Sequence, residues 1–368
     1  MPTHPSPPRF KIRTGTKTSL VTAALALAAL GLLSAAPFLV NRATLRDLFF
    51  VLTLIALAQF WNLLAGYAGI ISIGQQAYVG FGGYMLFALT AFAGVNPVPA
   101  IFIAGALGAL IAVPVARLVF RLNGPYLAVG TWVVAEVFRL VFAQVKSLGG
   151  GTGVSLPTAV TNEAALVHFA ALTAGVRASV ARDFLTFWLA TILAAATIAG
   201  VYALLRSRRG LALAAIRDNE AASGSIGIDS LAAKLWVYVA ASGGASLVGA
   251  LVFFQTARIS PDAAFSVTDF TAYVLFVVVI GGIGTIEGPI VGAVILYLMR
   301  NALADLGPVY LMALGALAIL AMLFFPRGLW GAFAKRFDVH LFPIRRRLIV
   351  ASARPQPENV RRAAPAAP

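Results

Sequence analysis

Leu48-Phe49-Phe50-Val51-Leu52-Thr53-Leu54-Ile55-Ala56-Leu57-Ala58-Gln59-Phe60-Trp61-Asn62-Leu63-Leu64-Ala65-Gly66 runs without a single charged side chain. A hydrocarbon core of roughly 30 Å is crossed by about 20 helical residues at about 1.5 Å rise each, so this run has the length of a membrane-spanning helix. Inside lipid every backbone N–H and C=O must be satisfied by the chain itself, which a helix does and a loop does not. Working outward, comparable runs lie near 20–40, 70–93, 98–119, 126–144, 184–205, 235–256, 268–283, 287–303 and 308–325. The expected fold is therefore all-α, a polytopic membrane helical bundle of about ten transmembrane helices. The turn Gly281-Gly282-Ile283-Gly284, between the eighth and ninth runs, has the composition of an interruption that could sit within the membrane.

Composition agrees: 60% of the 368 residues are hydrophobic, 11% are charged and the mean hydropathy is +0.90, far from a soluble globular chain. A net charge of +15 would suit a nucleic-acid binder, but the basic residues stand between apolar runs, where they orient a membrane protein. No nucleic-acid partner is expected. Zero cysteines exclude a disulfide framework, a thiol nucleophile and a Cys-ligated metal. The three histidines, His4, His168 and His340, lie outside the apolar runs, so no metal site is expected.

Alternating the spans from a cytoplasmic start places residues 1–19, 117–124, 206–234 and 327–368 inside, with four, two, five and nine of the 28 Lys and Arg residues. The outside connections carry Arg42, Arg46, Lys146, Arg177, Arg182, Arg258 and Arg300. Positive charge marks cytoplasmic loops, so both termini are expected in the cytoplasm. The division is then a basic tail over 1–19, a transmembrane domain over 20–330 and a basic, partly disordered tail over 331–368. The first span ends in Ser34-Ala35-Ala36, like a cleavable signal, but it is longer than a signal core and is expected to be retained.

Between Asn62 and Tyr84, glycines crowd a segment that also bears amides and hydroxyls: Gly69, Ser72, Gly74, Gln75, Gln76, Tyr78, Gly82 and Tyr84. Glycines permit close helix packing or a broken helix, so these residues form a packing seam, line a translocation path, or both. Glu136 and Arg139, at i and i+3, share one helical face and neutralise each other as an intramembrane ion pair. Gly149-Gly150-Gly151-Thr152-Gly153 begins a long outer loop without the strand and helix context of a phosphate cradle. In 206–234, residues around Ala212–Ile216 read as a short helix interrupted at Asp218 or Asn219, either of which can cap a second one.

In order and spacing these motifs resemble the branched-chain amino acid permeases of ABC importers, over about residues 62–331. The resemblance is carried by Ser72-Ile73-Gly74, Gly124-Pro125-Tyr126 with Glu136 and Arg139, the Gly-Gly-Thr-Gly loop and Arg217-Asp218-Asn219-Glu220 with Gly227-Ile228-Asp229. Ile259-Ser260-Pro261, Gly281-Gly282-Ile283-Gly284-Thr285 with Gly288-Pro289, and Pro326-Arg327-Gly328-Leu329 complete it. Two departures stand out: Gln75 replaces a histidine usual in the family, and Gly227 falls one place later than in the general coupling motif.

The resemblance implies a permease subunit in a bacterial inner membrane, with no enzymatic activity of its own. It implies a second permease, a paralogue, to complete the path, two cytoplasmic ATP-binding subunits and a periplasmic substrate-binding protein. Arg217, Asp218, Asn219, Glu220, Gly227 and Asp229 would then form the loop that couples to the ATPases. The chain lacks a Gly-x-x-x-x-Gly-Lys-Ser/Thr loop, so it needs no cofactor itself and ATP binds to the partners. Rival readings are a permease of the same architecture for urea, short amides or sugars, and an ion-coupled carrier, for which Glu136 is nearly the sole intramembrane candidate.

Overall fold

The computed structural model describes residues 10–13, 17–162, 167–168, 171, 175–303, 309–325, 328–337, 341–342 and 347–350. The chain is an all-α bundle. Its principal helices are α1 (Lys17–Leu39), α2 (Arg42–Asn62), α3 (Gln75–Ala91), α4 (Pro97–Val119), α5 (Pro125–Gln144) and α6 (Ala178–Arg206). Two short helices follow, α7 (Arg208–Asp218) and α8 (Glu220–Ser225), then α9 (Ser230–Thr256), α10 (Tyr273–Gly281), α11 (Glu287–Ala302), α12 (Val309–Phe324) and α13 (Gly328–Phe337).

Each expected span coincides with helix. Among the described residues seven stretches are long and apolar enough to cross a bilayer: Arg42–Tyr67, Pro97–Val119, Pro125–Gln144, Ala178–Arg206, Ser230–Thr256, Pro261–Gly281 and Met312–Phe337. At 17 and 16 residues, α3 and α11 fall short, and α1 contributes the shorter apolar helix Ala24–Leu39. The helices by themselves thus establish seven of the ten. For α3 the physical reason is that a glycine-containing break consumes its first turns: residues 68–74 belong to no helix, so the run expected near 70–93 begins only at Gln75.

Local chemistry sets the boundaries. Asn41 caps α2, its Oδ1 accepting the Thr44 N–H at 2.8 Å, and Asn96 caps α4 in the same way through Val98 N–H at 3.3 Å. Pro97 and Pro125 stand in the first turns of α4 and α5, where the missing N–H costs nothing.

The centre is built from α2 and α9, of which 83% and 78% of the apolar windows are buried, while the window in α5 is only 22% buried. Helix α9 packs chiefly against α4 and α3, α2 against α6, and α10 against α11. The approach of α3 to α9 needs small residues. A methyl group on Gly82 would strike the Ser246 backbone, and one on Gly249 would strike the Val79 backbone. Lipid tails supply no hydrophobic drive between helices, so this close van der Waals fit is what holds the pair together. Ser246 adds a hydrogen bond at the seam, its hydroxyl donating to the Tyr78 carbonyl at 2.9 Å.

Among the described residues strand is confined to two short antiparallel pairs. β1 (Phe10–Arg13) lies against β4 (Arg347–Val350), bringing the two ends of the chain together. β2 (Val154–Ser155) lies against β3 (Arg258–Ile259), so the Gly-Gly-Thr-Gly loop is locked to the Ile259-Ser260-Pro261 motif. The tail from Ala351, expected to be disordered, lies outside the described residues, as do His4, His340, Pro326 and Arg327.

Candidate functional site

Two broken helices meet at the end of the bundle that carries α7 and α8. Helix α2 does not stop cleanly at Asn62 but loosens into a π-helical turn, Leu63–Tyr67, before the chain passes through residues 68–74 to α3. Helix α10 ends at Gly281, and residues 282–286 cross to α11. Unwound backbone at membrane depth needs protein partners, and side chains at the end of α2 supply them to the second break. Asn62 Nδ2 donates to the Thr285 carbonyl at 2.8 Å while its Oδ1 accepts the Gly284 N–H at 2.8 Å. One turn earlier, Gln59 Nε2 donates to the Ile286 carbonyl at 2.6 Å. Both amides are fully buried. Gly66 packs so closely on the Gly284 backbone that a side chain there would displace it.

The first break is held from its other side as well. Trp61 Nε1 donates to the Ser72 carbonyl at 2.7 Å, and the Ile73 N–H donates to Thr131 Oγ1 on α5 at 3.0 Å. Gly69 is exposed, whereas Ser72, Gly74, Gln75, Gln76, Tyr78, Gly82 and Tyr84 are buried within the subunit. Thr271 donates to Gln76 Oε1, Tyr78 and Tyr238 join hydroxyls at 3.1 Å, and Tyr84 stacks on Phe142 at 4.5 Å between ring centres. Gln75 Nε2 and the hydroxyls of Tyr67 and Tyr84 are buried without a hydrogen-bond partner among the described residues.

Beneath the breaks sits the connector. Ser207 caps α7, and Asn219 ends it by capping α8, its Oδ1 accepting the Ala222 N–H at 3.0 Å. Asp229 caps α9 through the Ala232 N–H at 3.0 Å. Of the two capping candidates in the sequence, Asn219 is the one used; Asp218 is the last residue of α7 and lies 3.4 Å from Arg217. Lys234 and Glu220 close the element with an ion pair at 2.5 Å. Arg217 links the connector to the membrane interior, its Nη1 donating to the Gly66 carbonyl at 3.4 Å, inside the π-helical turn.

Glu136 and Arg139 form the expected pair, Nη2 to Oε1 at 2.6 Å, and Arg139 also reaches Asp262 at 2.9 Å. Glu136, on the poorly buried face of α5, and Asp262, in the Pro261–Gly281 stretch, are exposed and Arg139 between them is half-buried, so the triad is not enclosed in the bundle.

The order and identity of these parts match a known family: the one described as branched-chain amino acid transport system / permease component matches residues 42–325. The chain belongs to this family. Among its relatives is the high-affinity branched-chain amino acid transport system permease protein LivM of Salmonella typhimurium, 28% identical over 339 residues, covering 89% of this chain and 79% of the relative. The LivM protein of Escherichia coli is likewise 28% identical, over 84% of this chain and 76% of its own length. No solved structure matches. As a permease-family member with apolar helices of spanning length, the chain is a multi-pass membrane protein.

The permease carries four polar anchors that sequence reading did not assign. Gln59 and Asn62 hold the second break, and Glu287, buried at the start of α11, accepts the Phe342 N–H at 3.0 Å. Asp183 on α6 is 1% exposed and binds Arg42 at 2.5 Å and Arg46 at 3.4 Å. Each is a polar or acidic residue beside or inside an apolar run, which was the available signal.

Proposed function

We propose that this chain is the membrane-embedded permease of an ATP-driven importer of branched-chain amino acids in a bacterial inner membrane, coupled to cytoplasmic ATP-binding subunits through residues 206–234. Its relatives bear that function in their names. The observation that carries the coupling role is the contact of Arg217 with Gly66, which joins a compact surface element to a broken helix in the bundle. In this reading α7 and α8 seat in a groove of an ATP-binding subunit, and nucleotide-driven closure of the two ATPases pulls on the connector. Gln59 and Asn62, at the end of α2 that leads into the break at 63–74, hydrogen-bond the break at 282–286, so the two breaks move together and shift the balance between outward- and inward-open states. A second permease completes the path, and a periplasmic binding protein delivers the amino acid and supplies most of the selectivity.

Charge reversal at Arg217 and Glu220 tests this. Loss of ATPase co-purification and of ATP-dependent leucine uptake is expected; unchanged association and uptake refute the docking role. Uptake that follows a proton gradient and ignores ATP refutes the importer reading itself.

A further inference from the structure

At the bundle end opposite α7 and α8 lies a cavity of about 340 Å³ between α2, α9, α11 and the Pro261–Gly281 stretch. Helix α9 runs from the connector at Ser230 to the cavity mouth at Thr256, 27 residues and therefore about 40 Å away. The lining is graded. Along one stripe of α2 it passes from Arg46 through Phe49 and Thr53 to Leu57, at the i, i+3, i+4 spacing of a single helical face. Along α9 it passes from Thr256 and Gln255 inward to Val252 and Val248. One end of the cavity is thus polar and the other apolar.

The polar end holds charges of both signs. Arg300 closes the last turn of α11, its guanidinium 4.7 Å from the ring centre of Phe50, and Arg46 stands one turn before Phe50 on α2, already paired with Asp183 at 3.4 Å. Asp269 faces the same cavity from a π-helical turn, Thr268–Ala272, a local distortion that frequently marks functional sites. The Asp269 carboxylate accepts the Ser266 hydroxyl at 2.8 Å, and neither it nor Arg300 has an ion-pair partner among the described residues.

We propose that this cavity binds a free α-amino acid with an apolar side chain: carboxylate toward Arg300, ammonium toward Asp269, side chain among Phe49, Leu57 and Val248. The guanidinium of Arg300 and the carboxylate of Asp269 complement a zwitterion, and the apolar floor complements a branched hydrocarbon. The volume sits at the lower end of the roughly 300–1,000 Å³ of small-molecule sites, the size of one small amphiphile and not of a two-chain lipid. This inference rests on the importer reading and locates a substrate station at the face where substrate would arrive.

The test uses the complete permease and ATPase complex in nanodiscs, without binding protein, labelled with photo-leucine and mapped by mass spectrometry. Adducts are expected on α2 between Phe49 and Leu57 or on α9 between Val248 and Phe253, and L-leucine should compete with them. Asp269→Asn should weaken competition by leucine about tenfold, the scale of one charge-assisted hydrogen bond, and leave competition by 4-methylpentanoate, which lacks the ammonium, unchanged. Arg300→Gln should likewise weaken leucine and spare 3-methylbutylamine, which lacks the carboxylate. Co-purification of the ATPases reports that both variants fold. Adducts elsewhere, equal competition by all three compounds, or a bound phospholipid that leucine does not displace would overturn the proposal. Absent ATP-driven leucine uptake by the unsubstituted transporter with its binding protein would instead overturn the importer reading, a separate measurement.

Discussion

Asn62 reaches across 222 residues of sequence to take the Gly284 N–H on its Oδ1, and with its Nδ2 it holds the neighbouring Thr285 carbonyl, both at 2.8 Å. One side-chain amide therefore satisfies a donor and an acceptor that the end of α10 leaves open. Asn62→Leu would strand both groups, at about 1–3 kcal/mol each for buried unpaired backbone polar groups. A lowered melting temperature of the purified permease and reduced leucine uptake are expected. Asn62→Asp keeps the acceptor but sets a buried carboxylate against the Thr285 carbonyl, so its melting temperature should also fall below that of the unsubstituted protein. Equal melting temperatures for all three proteins would show that the breaks do not depend on this residue.

The cap on α8 gives a second, local prediction. Helix α8 has only six residues and cannot persist on its own propensity, so the Asn219 side chain at its start matters disproportionately. Asn219→Ala should cost about 1 kcal/mol, seen as roughly fivefold faster amide exchange over Glu220–Ser225. Asn219→Asp, which retains a capping oxygen, should exchange at nearly the original rate. Exchange that is indifferent to both changes would mean that contacts with α9 alone hold the element.

Glu220 offers a separation of fold from coupling. Its ion pair with Lys234 is partly exposed, with the carboxylate side chain 55% accessible, and such pairs are worth only about 0.2–1 kcal/mol. Glu220→Ala should therefore leave the melting temperature of the permease nearly unchanged. If the connector docks on an ATPase, the same variant should uncouple ATP hydrolysis from uptake. A large drop in melting temperature with intact coupling would reverse the assignment.

Much of this was legible in the chain itself, and the exceptions share a cause. The spans follow from uninterrupted apolar length, and the break at Asn219 follows from a capping residue between two short helical patterns, both local signals. The cross-links are not local. Nothing near Asn62 announces Thr285, and nothing near Arg139 announces that Asp262 joins Glu136 as a second carboxylate. Helix lengths were misjudged for a related reason. Hydropathy does not register where backbone unwinds, so residues 70–74, with three isoleucines around Ser72 and Gly74, read as part of a span although helix starts only at Gln75. Asp183 escaped notice because its burial against Arg42 and Arg46 is created by the packing of α6 on α2.

The triad at the α5 face makes a prediction about what borders that face. Glu136 lies eight residues from the end of α5, about 12 Å in from Gln144 along a helix of about 30 Å. A charged side chain at the centre of a bilayer costs on the order of 2.5–3.5 kcal/mol even on permissive scales. The Glu136 side chain is 47% accessible in the subunit, so lipid is the least favourable neighbour for it, and a watered path or the second permease the most favourable. Val133, one turn away on the same face, is 52% exposed, and Leu110, in the interior of α4 and seven residues from Arg117, is comparably exposed at 68%. The chain has no cysteine, so Val133→Cys and Leu110→Cys each introduce a single thiol. Charged thiosulfonates react with the thiolate, which forms only in contact with water. In the assembled transporter Val133→Cys should be modified and become protected as the cycle closes the path, whereas a thiol facing hydrocarbon stays inert. If Val133→Cys resists the reagent in every nucleotide state and in the isolated permease alike, the α5 face borders lipid and the triad is no more than an ion pair holding α5 to the Pro261–Gly281 span.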